Sequence, residues 1–214
     1  YTTQLQAGLG VIDETKTLLN LWNPGMSSGQ LYQSALDSGM FPNVTARRLR
    51  NVVMECFAPR YLCDHAKPAE FLKTLYPVLS TREFNQLLFI YTCRANKILY
   101  DFVHEVYWDR YVGGHMELST ETARDFVNQA NQDGKTQTSW SYSTLRRVAA
   151  YLTGLLESGR KSVRAITPFR IESKVLLFLV YELHFKGVAD FVDAIEERDF
   201  NFDNYLGEYA KLVA

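Results

Sequence analysis

Phe84, Leu88, Tyr91, Ala95, Ile98 and Phe102 follow one another at intervals of four, three, four, three and four residues. A strand puts alternate residues on one face, so this spacing lines one side of a helix. Ser80-Thr81-Arg82-Glu83, just ahead, has the S-x-x-E form of a capping box. The next strong stop is Gly113-Gly114. A helix of about 30 residues between them would span roughly 45 Å, enough to join two lobes.

The same period recurs on both sides. Residues 11–22 form an amphipathic segment stopped by Asn23-Pro24-Gly25. Ser27 or Ser28 caps the next, with Leu31, Ala35 and Leu36 on one face and Gly39 at its end. Thr45 caps a third, in which Leu49, Val52, Val53, Cys56 and Phe57 make an apolar stripe and Pro59 ends the helix. Pro68 and Pro77 bracket a fourth, and Ser119 caps a fifth that stops at Asp133-Gly134. A sixth runs from about Ser141 to Ser158, with Leu145, Val148, Ala149, Leu152 and Leu156 as its stripe. Residues 172–186, 188–198 and 201–213 read as further helices. There is no strand series and no βαβ alternation, so the fold is expected to be mainly α. The expected organisation is two helical lobes joined by the long central helix, residues 1–113 and 114–214. Residues 160–171 lack the helical pattern and are open to a short strand, a wing-like turn or a loop.

Hydrophobic residues make up 47% of the chain, which is enough for a substantial core. The longest apolar run, Val175–Tyr181, is far short of the ~20 residues a membrane span needs. No basic-then-apolar leader opens at Tyr1. Three cysteines, Cys56, Cys63 and Cys93, are an odd number without tight pairing, which points to buried thiols in a reducing compartment. A cytoplasmic protein without a membrane partner is the expectation.

Enzyme signatures are missing from the sequence. His65, His104, His115 and His184 stand in no metal-ligand spacing, and no phosphate-binding, dinucleotide-binding or nucleophile-elbow motif occurs. No catalytic residue, metal or cofactor is expected.

Charge is distributed unevenly. Residues 135–174 carry eight cations against two acids, a net +6, and residues 190–208 carry seven acids against one cation, a net −6. Such separation suits a nucleic-acid face, with the acidic end turned elsewhere. Within this pattern two stretches repeat: Thr45-Ala46-Arg47-Arg48-Leu49 and Thr144-Leu145-Arg146-Arg147-Val148. Each reads as a helix start, where the helix dipole disfavours cations by ~0.3–1 kcal/mol. Neither pair has an acid three or four residues on. Either the arginines pack their stems against neighbouring helices, or they meet an anion. Residues 28–57 and 119–158 each outline a loose helix–turn–helix, a unit that sets its second helix in the DNA major groove. The candidate DNA-binding residues are Arg47, Arg48, Arg50, Lys135, Arg146, Arg147, Arg160, Lys161, Arg164 and Arg170.

The opening stretch, YTTQLQAGLGVIDETKTLLNLWNPGMSSGQLYQSALDSGMFPNVTARRLRNVV, resembles the BrxA family of bacterial BREX (bacteriophage exclusion) defence islands. The likeness continues through CFAPRYL and the central helix. It implies a small helical cytoplasmic protein that acts in defence against double-stranded DNA phages and binds double-stranded DNA. It further implies work beside other BREX components. The alternative is a helical adaptor that contacts those components without touching nucleic acid. Oligomeric state is not legible.

Overall fold

The computed structural model describes residues 1–3, 11–115, 117–156, 163–165 and 170–185. The protein is mainly helical. In chain order the helices are α1 (Ile12–Leu21), α2 (Ser28–Asp37), α3 (Ala46–Asn51), α4 (Ala58–Tyr61), α5 (Lys67–Leu75) and α6 (Thr81–Ala95). They continue with α7 (Lys97–Phe102), α8 (Trp108–Val112), α9 (Thr120–Gln132), α10 (Tyr142–Leu156) and α11 (Ser173–Phe185). Strands β1 (Glu117–Ser119) and β2 (Val163–Ala165) pair antiparallel, with Leu118 opposite Arg164.

Helix starts follow local chemistry. Ser27 caps α2 and forms a reciprocal capping box with Gln30. Ser80 does the same for α6 with Glu83, whose carboxylate takes the Ser80 N–H at 2.6 Å and is thereby held below the usual carboxylate range. Thr45 and Ser119 accept the backbone N–H of Arg48 and Thr122.

Three departures from the sequence expectation have physical causes. First, Pro59 does not end its helix, which continues to Tyr61. A π turn, Val52–Phe57, precedes it, and the Ala58 N–H reaches back five residues to the Val53 carbonyl. The wider turn shifts the carbonyl that a proline ring would otherwise meet in an α-helix. Second, the central helix is interrupted at Asn96 (φ −130°, ψ 92°). The Asn96 amide donates to the Thr92 carbonyl at 2.9 Å, and its own carbonyl accepts from Leu99 and Tyr100. An asparagine side chain competes for backbone partners in this way, while the apolar spacing across it is unaltered. A second π turn, Val103–Tyr107, then links α7 to α8. Third, Cys63 is exposed and Cys93 half-buried, so only Cys56 is the buried thiol expected; all three are free.

The buried residues form two clusters. The first draws on α1 to α6, from Leu18 and Trp22 to Leu87 and Tyr91, and also on Ile171, Val175 and Leu179. The second joins Ile98, Leu99 and Phe102 to Leu118, Val127, Trp140, Val148, Ala149 and Leu152. They part near Asn96, and α11 returns to the first. That return is held by Gln86, which donates to the Arg170 carbonyl (2.7 Å) and accepts from the Glu172 N–H (3.0 Å). A forked Arg94–Glu182 pair at 3.0 and 2.6 Å ties α11 to α6.

Candidate nucleic-acid interface

β1, α9 and α10 contribute to the second cluster, and β2 pairs with β1. Ala123, Val127 and Ala130 are the buried face of α9, and Val148, Ala149 and Leu152 that of α10. Ser141 caps α10: its hydroxyl accepts the Thr144 N–H, and its carbonyl accepts the Leu145 N–H. The cap therefore lies three residues before Thr144, and the helix begins at Tyr142. Arg146 and Arg147 stand in its second turn, outside the reach of the dipole penalty expected for them.

On the side of α10 away from the core, Tyr142, Ser143, Arg146, Arg147 and Ala150 are all exposed, Tyr142 at 73%. Their spacing is one, three, one and three residues, a stripe along the first three turns. The connection from α9 turns at Gly134, whose φ of +69° suits glycine, and runs on to the cap at Ser141. Asn131 organises it, its side-chain oxygen accepting the Trp140 N–H at 2.8 Å and the Thr136 hydroxyl at 3.0 Å. Trp140 is buried, as a staple beside the helix start should be.

The first arginine helix differs. Thr45 is itself the cap of α3, so Arg47 and Arg48 lie in the first turn. Arg47 and Arg50 are exposed, but Arg48 is half-buried near Cys56, where its charge opposes the rise that burial imposes on the thiol. Tyr32 of α2 donates its hydroxyl to the Ala46 carbonyl at 3.3 Å. Leu36, expected on the buried face of α2, is exposed.

The remaining candidates scatter. Lys135 is exposed on the α9–α10 connection. Arg164 lies within β2. Arg170 precedes α11 beside the first cluster, whereas the α10 stripe backs onto the second. Arg160 and Lys161 lie outside the described residues, as do residues 188–198, 201–213 and the acidic block. Within 160–171, only Val163–Ala165 is described as a strand. Among the described residues, no carboxylate forms an ion pair with Arg47, Arg48, Arg50, Lys135, Arg146, Arg147 or Arg170. Arg124 on α9, absent from the candidates, is also exposed. The described residues hold no group of three His, Cys, Asp or Glu side chains placed to bind a metal, and no helix long and apolar enough to cross a membrane.

The BrxA family profile matches residues 1–180. The chain belongs to the BrxA family. It is accordingly a BREX-associated phage-defence protein. No curated protein matches it. Among solved structures, an uncharacterized protein from Magnetospirillum magneticum is similar, with a TM-score of 0.69 at 16% identity over 86% of this chain and 94% of that one. At that identity the likeness concerns the fold of this BrxA-family chain alone.

Proposed function

We propose that this BrxA-family chain is a non-enzymatic, cytoplasmic accessory protein of a BREX system that binds double-stranded DNA through α10. One observation carries the reading. Arg146 and Arg147 stand free of ion pairs among the described residues, on an exposed stripe opposite a fully buried one. A helix–turn–helix presents its second helix to the major groove in this way, with side chains from its N-terminal turns reaching phosphates and base edges. Guanidinium groups suit both targets. Lys135, exposed on the connection that leads into α10, would add a phosphate contact.

The test is a titration of the purified chain with duplex DNA over a salt series. Binding should weaken steeply with salt, because each neutralised phosphate releases counterions. Arg146→Ala with Arg147→Ala should flatten the log–log slope by roughly 0.9 for each phosphate no longer neutralised. The purified protein is expected to turn over no ATP and to need no metal. A second reading, an adaptor for other BREX components, draws on α11, where Leu177 and Tyr181 are exposed and Phe178 meets the exposed Phe71 ring edge-on. Retention of BREX partners by a chain that ignores DNA at every salt concentration would favour it.

A further inference from the structure

The α9–α10 connection is pinned from an unexpected direction. Tyr1 lies against it, although Val11 already belongs to the other cluster. The Tyr1 backbone nitrogen donates to the Lys135 carbonyl, and the Gln137 N–H donates to the Tyr1 carbonyl at 3.2 Å. These two bonds around Thr136 make one rung of a parallel ladder. The Tyr1 hydroxyl donates to the Asp101 carboxylate on α7. Its ring sits 6.5 Å from that of Phe126 on α9, and burial together with Asp101 pushes the phenol pKa up. Tyr1 thus touches α7, α9 and the connection at once. Beyond it, Thr2 and Thr3 face Ser141 and Thr144 across a recess of about 370 Å³ at the head of α10. From the end of α9, Asn131 holds Thr136 and Trp140.

We propose that Tyr1 and Asn131 are positioning residues for α10: together they hold the connection so that Arg146 and Arg147 meet duplex DNA in one fixed register. This rests on the DNA-binding reading above. The connection between Gln132 and Ser141 has no helix or ladder of its own. Left unpinned, it would have to be ordered at the moment of binding, and that entropy would be subtracted from affinity. Neither residue need touch DNA. Their removal should therefore lower affinity while leaving the number of phosphates neutralised in the final complex unchanged.

That separation defines the experiment. The full chain is titrated with a mixed-sequence duplex over a salt series, as wild type, Tyr1→Ala, Tyr1→Phe and Asn131→Ala. Each protein is also melted thermally, and affinities are taken well below every melting temperature. Tyr1→Ala and Asn131→Ala should each bind about tenfold more weakly with the wild-type salt slope. Tyr1→Phe keeps the ring and the backbone exchange but loses the bond to Asp101, so it should fall between wild type and Tyr1→Ala. A purely structural role would lower the melting temperature and leave the affinity of the folded protein unchanged; unchanged affinity in Tyr1→Ala overturns the proposal. A flattened slope overturns it as well, because the strap would then be a phosphate contact. If Tyr1→Ala does not fold, Asn131→Ala stands in under the same criteria. If the wild type ignores duplex DNA, the DNA-binding reading fails and this proposal with it; if only the variants match wild type, the positioning proposal fails alone.

Discussion

The two T-x-R-R stretches are alike in letters and unlike in place. Thr45 is a helix cap, and its arginines occupy the first turn of a six-residue helix that passes into a π turn. Thr144 lies inside its helix, capped in turn by Ser141, and its arginines stand in the second turn of a fifteen-residue helix. One pair lies where cations are disfavoured, with Arg48 half-buried. The other lies on an open stripe whose reverse side is packed. The helix dipole therefore bears on the first pair, and an exposed surface backed by a packed face belongs to the second. A five-residue repeat says nothing about helix register, since a cap three residues upstream changes it.

Experiments can break this contrast or sharpen it. The largest expected effect is on the packing behind the stripe. Leu152 is fully buried, so Leu152→Ala should cost ~2–5 kcal/mol in denaturant unfolding. A loss below about 1 kcal/mol would contradict the packing of α9 on α10. Next comes DNA affinity. The Arg146/Arg147 double alanine variant should lose more affinity than the Arg47/Arg48 variant, with a slope change of roughly 1.8 if both of its arginines hold phosphates. The reverse order would move the interface to α3. A smaller effect is expected at the joint of the first unit. Tyr32→Phe removes the bond to the Ala46 carbonyl and should cost ~0.5–1.5 kcal/mol in stability without altering DNA binding. A change in affinity there would mean that α2–α3 is also part of the interface. The smallest effect concerns Glu83. Its carboxyl titrates below the usual range because the Ser80 N–H and Lys174 favour the charged form. The native state therefore gains stability above the ordinary Glu value, and that gain disappears as pH falls through the lowered one. Glu83→Gln should melt below wild type at neutral pH and converge with it in acid; a gap that persists in acid would assign the difference to packing.

Much of the fold could be read along the chain. The stripe Leu49, Val52, Val53, Cys56 and Phe57 is buried throughout, and Thr45, Ser80 and Ser119 cap as their positions suggest. The interruption at Asn96 was hidden because Ile98 and Phe102 keep the helical interval on its far side, yet they enter the second cluster. β1 gave no signal, since three residues are too short for alternation to show. Of the candidate interface, Arg146 and Arg147 were legible as cations off an apolar stripe, and Ser143 and Ala150 beside them were not. Asn131 carried a weak mark, an asparagine three residues before a helix-ending glycine. Tyr1 carried none.

The sequence by itself determined the helices, most of their starts and the residues that would be buried, because those depend on partners within about four positions. It also set the uneven charge, which is independent of folding. Tertiary structure decided which cluster each helix joined, that α11 would return to α6, that residues 117–119 and 163–165 would pair, and that Tyr1 would brace residues 135–137. These contacts join positions tens of residues apart or more. No local period encodes them, and each exists only because the intervening chain has already closed around a core.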